Sequence, residues 1–270
     1  IFMNKYYSFL LKVNMMTIII LMVSNMQLHA QNFDAIRGFN GCVVMINVKT
    51  SDSLIYNQML AKERTTPCST FKIWNTLIGC ESGLIQSKDS LFYIWDGVKR
   101  DYEGWNQNLT IAEAFKYSCV PAYQNLARKI GVRRMNKWIR KIGYGDCNTK
   151  SGIDIFWLPR KGKTSILISP MEQALLIKKL VNGKLGFSAE SKSLLKKIAL
   201  SLVTNNGRMY GKTGSGENVG KENNNIGWFV GLVESNRGSF AFACLIKGKR
   251  ASGKIAKQIM TQVLMDNQYI

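Results

Sequence analysis

Histidine is all but missing from this chain: among 270 residues the only one is His29. It falls at the end of a segment in which Lys5 and Lys12 precede an apolar run over residues 15–23, and a polar stretch closes on Leu28-His29-Ala30. Basic, apolar and small residues in that order read as a secretory signal peptide over residues 1–30. Its removal leaves residues 31–270 as a mature chain without imidazole, which excludes a Ser-His-Asp triad and a histidine-built zinc site. The six cysteines, Cys42, Cys68, Cys80, Cys119, Cys147 and Cys244, form no C-x-x-C pair, so no metal is expected. Several lie inside apolar runs, where a thiol behaves as a small buried hydrophobe. Long apolar runs are lacking too. The stretch over 15–23 is too short to cross a bilayer, and no cysteine follows it at a lipidation position. A periplasmic protein with no stable membrane insertion after signal cleavage is therefore expected.

Acidic residues are scarce as well, 17 against 37 lysines and arginines, for a formal charge of +20. Such an excess can attract nucleic acid or an anionic envelope surface. However, Arg133, Arg134, Lys137, Arg140 and Lys141 alternate with Met135, Trp138, Ile139 and Ile142, the spacing of one buried helical stripe with the charges on the solvated face. No nucleic-acid-binding signature accompanies them, so no nucleic-acid partner is expected. Internal repeats and low-complexity linkers are absent, and 46% hydrophobic residues suit one domain with a sizeable core.

Residues 41–48 form an apolar, β-branched run that predicts a buried strand, with residues 53–56 as its hairpin partner. Helices are predicted over residues 71–78, ending near Gly83, and over 111–116, where Thr110 and Glu113 have capping-box spacing. Further helices are predicted over 122–130, 133–142 and, after Pro170, 171–181. Sheet returns in residues 226–233 and 239–246, joined by the polar turn 234–238, and a last helix covers 254–264. Strands at both ends with helices between them predict an α/β (α+β) fold: one mainly antiparallel sheet flanked by helices, with an inserted helical lobe.

The residues with chemical potential are Ser69 and Lys72. Without imidazole, a serine nucleophile needs another base, and an amine one helical turn away on the same face is a substitute. An isolated Ser-x-x-Lys is usually no more than a solvated helix face. Here it is followed in order by Ser118-Cys119-Val120, Phe156-Trp157-Leu158 and Lys212-Thr213-Gly214. This set resembles the penicillin-recognising serine enzymes, whose hallmarks are S-x-x-K, S-x-[NV] and K-T-G. Within that superfamily the chain is similar to the class D β-lactamases, or oxacillinases. Trp95-Asp96-Gly97, Gly104-Trp105-Asn106, Tyr144-Gly145-Asp146 and Gly227-Trp228-Phe229-Val230-Gly231 extend the resemblance over nearly all of the chain after residue 30.

The resemblance implies a β-lactamase/transpeptidase-like fold and hydrolysis of a β-lactam, the small-molecule partner, through an acyl-enzyme on Ser69. It implies that Lys72 carries a carbamate (N6-carboxylysine) and acts as general base for acylation and deacylation, with Trp157 steadying it and Val120 and Leu158 shielding it. No cofactor is implied beyond the carbon dioxide or bicarbonate needed for that modification. Ser118 would relay a proton to the departing nitrogen, helped by the charge of Lys212. Lys212, Thr213 and Gly214 would border the substrate, and the backbone N–H of Ser215 would complete an oxyanion hole with that of Ser69. Arg250 is the expected second anchor for the substrate carboxylate, with Lys249 or Lys247 as alternatives. Asp146 stands where the family commonly has asparagine, and Ser215 where a bulky residue is frequent. A monomer or a homodimer suits these features equally. The rival readings are a non-hydrolytic penicillin-sensor domain, a D,D-peptidase, which Val120 disfavours, and a non-catalytic basic envelope binder.

Overall fold

In the computed structural model residues 31–217 and 224–270 are described, and the predicted signal peptide lies outside them. Residues 33–270 form one compact unit. Its centre is a six-stranded antiparallel sheet built from strands β1 (Asn40–Asn47), β2 (Ser53–Tyr56), β5 (Leu200–Val203), β6 (Gly207–Glu217), β7 (Asn225–Ser235) and β8 (Gly238–Gly248). Their order is β2-β1-β8-β7-β6-β5, so the two ends of the chain meet where Asn40–Asn47 pairs with residues 240–247. The predicted polar turn is tighter than the sequence suggests. Ser235 pairs with Gly238, leaving only Asn236 and Arg237 to reverse the chain.

Alternation of side chains splits the core in two. On β8, Ala241, Ala243 and Leu245 face the helical lobe, while Phe242, Cys244 and Ile246 face the C-terminal helix. The lobe comprises α1 (Gln58–Lys62), α2 (Lys72–Glu81), α3 (Ile111–Lys116), α4 (Val120–Ile130), α5 (Val132–Ile142), α6 (Pro170–Val181) and α7 (Ala189–Ala199), with a small β3–β4 pair (Leu91–Tyr93 with Leu109–Thr110). The terminal α8 (Gly253–Asp266) covers the opposite face.

Helix starts follow local chemistry. Thr110 and Glu113 form the expected capping box, and Ser169 and Glu172 form a second one, with Pro170 opening α6. On α5 the apolar positions Met135, Ile139 and Ile142 are buried, while Arg133, Arg134, Lys137, Arg140 and Lys141 are exposed. Sequence patterning left two regions without elements: Lys212-Thr213-Gly214 lies inside β6, a strand ahead of the first one predicted in the C-terminal part, and α7 with β5 fills residues 189–203. Glycine at 207, 211, 214 and 216 disguises β6, since glycine weakens a strand signal and commonly marks a loop or bulge.

Candidate active site

Ser69 sits in a 3-10 turn, Cys68–Phe71, that runs directly into α2. The turn is entered through Cys68 at φ 52, a left-handed conformation that turns the chain sharply for a non-glycine residue. Packing and hydrogen bonds hold it from three sides. The Thr70 hydroxyl donates to the Pro67 carbonyl at 2.7 Å and accepts from the Gln173 amide at 2.9 Å. The Trp228 indole N–H donates to the Thr66 carbonyl at 2.9 Å, and Thr65 exchanges backbone hydrogen bonds with Ile168. On the third side, Phe71 packs against Tyr144, Phe156 and Trp157 at ring-centroid distances of 5.0, 4.9 and 5.8 Å.

Lys72 is fully buried, and its ammonium donates to the Ser69 hydroxyl oxygen at 2.7 Å. Burial lowers its pKa to about 7, because a charged amine loses its hydration there. The neutral amine, needed for base chemistry, is therefore accessible near neutral pH. Burial drives the Cys68 thiol up to about 12 and raises that of Cys119, so neither supplies a counter-charge at neutral pH. Lys72 has no acidic partner among the described residues.

Two other segments converge on this pair. Ser118 follows α3 in a left-handed conformation, φ 54, and Val120 opens α4. The Trp105 indole N–H donates to the Tyr117 carbonyl at 2.9 Å, so the Gly104-Trp105-Asn106 stretch pins the backbone next to Ser118. From the sheet side comes Lys212, 3% exposed, whose ammonium donates to the Thr213 carbonyl and hydroxyl oxygens at 3.1 and 3.2 Å. It lies 5.5 Å from the centre of the Phe115 ring on α3. Burial pushes its pKa well down, and the charges of Lys72 and Lys257 push in the same direction. Two coupled buried amines without a carboxylate among the described residues make a site short of negative charge.

The edge of β6 is where the serine turn docks on the sheet. Strand β5 pairs only with Arg208–Tyr210, so beyond Tyr210 that edge is left to the Ser69 turn. Gly214 makes the approach possible: a Cβ there would come 3.0 Å from the Pro67 carbonyl oxygen and 3.2 Å from the Thr70 nitrogen. On the far side Gly253 at the start of α8 donates its N–H to the Ser215 hydroxyl at 2.8 Å. A Cβ on Gly253 would meet the Gly214 carbonyl oxygen at 2.8 Å. Ser215 is thus occupied in holding α8 against the strand, a role its small hydroxyl side chain can play and a bulky residue cannot.

Trp157 is fully buried, and its indole N–H has no hydrogen-bond partner among the described residues. An orphaned donor of this kind in a native core calls for a partner. A buried lysine whose neutral form is accessible, and an unspent buried N–H donor on a ring stacked against the neighbouring Phe71, are the groups that a carboxylated lysine requires, so the residues fit the modification. Val120 and Leu158 are half-buried. The loop carrying Trp157 is tied to the serine turn by a 2.7 Å contact between the Thr66 and Ser165 hydroxyls and by Ser165 donating to the Phe156 carbonyl at 3.1 Å. Asp146 keeps an acceptor role, taking N–H bonds from Leu167 and Asn148 at 3.0 and 3.1 Å.

The carboxylate-anchor candidates are placed apart. Lys247 is 6% exposed and pairs with Glu63 at 2.6 Å, so it is committed elsewhere. Lys249 and Arg250 are exposed in the turn after β8, whereas the residues packed on Thr213 and Gly214 are those that open α8, where Lys254 follows Gly253. Sequence patterning overlooked Thr66 and Gln173. A glutamine on the α6 stripe of Gln173, Ile177 and Leu180, all buried, is the signal that marks the second.

Residues 41–265 match the family described as the penicillin binding protein transpeptidase domain. Among curated relatives, the probable β-lactamase YbxI of Bacillus subtilis is 33% identical over 86% of this chain and 82% of its own length. A solved class D β-lactamase from Bacillus subtilis superposes with a TM-score of 0.81 at 32% identity, covering 91% of this chain and 99% of that one. The regulatory protein BlaR1 of Bacillus licheniformis is also similar, 33% identical over 83% of this chain but only 36% of its own length.

Proposed function

The chain belongs to the penicillin-binding transpeptidase family, and within it to the class D serine β-lactamases, and on that premise we propose that it hydrolyses β-lactams with Lys72, in its N-carboxylated form, as general base. The observation that carries this proposal is the buried Lys72 ammonium 2.7 Å from the Ser69 hydroxyl, with an amine pKa of about 7. When present, the carboxylate on Lys72 supplies an anionic base for the Ser69 proton and then for a hydrolytic water. The Trp157 N–H is available to donate to it, and Val120, Leu158 and the Phe71 cluster keep bulk water away.

Ser69 Oγ attacks the lactam carbonyl carbon, a new C–O bond forms, and the ring C–N bond breaks. The backbone N–H groups of Ser69 and Ser215 flank the carbonyl oxygen as charge develops on it. Ser118, whose left-handed backbone sets its hydroxyl at the α3–α4 junction, passes a proton to the departing nitrogen. Lys212 and Thr213 attract the substrate carboxylate, which supplies the negative charge that the site lacks. Arg250 or Lys254 completes that anchor at the α8 end of the strand. Export to the periplasm is supported by the basic, apolar and small order of residues 1–30.

The similarity to BlaR1 keeps a second reading in view, a sensor that is acylated but does not turn over. Both readings place the acyl group on Ser69. Intact-protein mass spectrometry after exposure to a penicillin is expected to show one adduct that disappears in Ser69→Ala, and an unchanged adduct in that variant removes Ser69 from the reaction.

A further inference from the structure

Behind the catalytic elements lies a cavity of about 380 Å³ between α6, α7 and the β6–β7 part of the sheet. That volume falls within the range of small-ligand pockets, roughly 300–1,000 Å³. Its wall is apolar, formed by Ile73, Ile177, Leu180, Leu195, Tyr210 and Leu232. The rim has the opposite character. Lys192 and Lys196 stand one turn apart on α7, with Ser193 beside them and Glu234 across from them.

The two lysines are not equivalent. Lys196 is neutralised by Glu234 at 2.7 Å and lies 5.1 Å from the centre of the Tyr210 ring. Lys192 is half-buried and has no acidic partner among the described residues. An apolar hollow with one uncompensated cation and one hydroxyl at its mouth is complementary to a molecule with an apolar tail and a single anionic head.

We propose that this cavity is a second ligand site, distinct from the catalytic cleft, which takes an unbranched aliphatic carboxylate with its tail among Ile73, Leu180 and Leu232 and its head at Lys192 and Ser193. The site is separate from the catalytic groups but adjoins them in the chain: Ile73 follows Lys72, and Gly211, also in the wall, precedes Lys212. Nothing in this assignment depends on the hydrolytic reading of Ser69.

Decanoate, kept below its micellar concentration, is a suitable probe, with decanol and butyrate as controls for the head and the tail. Isothermal titration calorimetry on the purified protein is expected to give one site for decanoate, weaker binding of decanol and no measurable binding of butyrate. Lys192→Glu is expected to weaken decanoate roughly fivefold or more, as befits one half-exposed charge contact reversed in sign. Ala199→Phe, which fills the hollow from α7, is expected to abolish binding, and the surface substitution Lys192→Glu carries the test should that variant not fold. Lys212→Ala is expected to leave decanoate binding unchanged, because the catalytic cleft is a separate place. Absence of decanoate binding, indifference to Lys192→Glu, or loss of binding in Lys212→Ala would each overturn the proposal.

Discussion

Replacing Trp157 by phenylalanine removes a buried polar group, one of several left without a partner among the described residues, on a ring stacked against the residue next to Lys72. The indole N–H is buried and unpartnered, so its removal breaks no hydrogen bond among the described residues. The ring that stacks on Phe71 at 5.8 Å is replaced by a smaller ring able to pack in the same place. Stability should therefore change only by the packing difference. The modified lysine should feel far more, because a hydrogen bond to a charged group contributes about 1.5–3 kcal/mol. That corresponds to a shift of roughly ten- to 150-fold in the carboxylation equilibrium. The assay is steady-state nitrocefin hydrolysis titrated with bicarbonate. The bicarbonate concentration for half-maximal activity should rise by that factor in Trp157→Phe, and the maximal rate should largely recover at saturating bicarbonate. An unchanged half-saturation point would refute the role assigned to the indole, even if the variant were slower.

Two further outcomes are expected. Since burial lowers the Lys72 amine to about 7, the amine is mainly neutral above that pH and charged below it, so at fixed dissolved carbon dioxide activity should fall roughly tenfold or more per pH unit on the acid side. A pH–rate profile without an acid limb near 7 would contradict the burial argument. Thr70→Val keeps the shape of the side chain but removes the donor to Pro67 and the acceptor for Gln173, which should cost about 1–3 kcal/mol. Thermal denaturation should show this as a loss of roughly 2–12 °C, while the penicillin adduct on Ser69 still forms.

Much of the architecture was legible because its elements announce themselves locally. Residues 53–56 gave β2 without error, the Thr110–Glu113 box formed as expected, and the Arg133–Lys141 charges alternate with a stripe that is buried. Strand β6 was hidden by its four glycines, two of which, Gly214 and Gly216, let it lie close to the serine turn, and that proximity is a tertiary requirement with no β-propensity to betray it. Helix α7 was hidden for a different reason. Its lysines and serines leave only a narrow apolar face, although Ser188 capping Ser191 was a readable start signal.

At the site, Ser69, Lys72 and Lys212 could be named from motif order, since each motif fixes a short local conformation. Gln173 and Trp228 reach the segment around the serine from 103 and 162 residues away, Thr66 beside it bonds the Trp157 carbonyl across 91, and no local pattern encodes such distances. Among the anchor alternatives, Lys247 shows the same limit. Lys247 looks free in the sequence, but the fold brings Glu63 to it.

The most direct test of hydrolysis by a carboxylated Lys72 is the number of nitrocefin molecules opened per molecule of purified protein, with and without added bicarbonate. The account predicts many turnovers, faster with bicarbonate, and an acyl adduct on Ser69 that decays as substrate is exhausted. A burst of one equivalent, unaffected by bicarbonate and followed by an adduct that persists for hours, would contradict it and leave the protein a sensor.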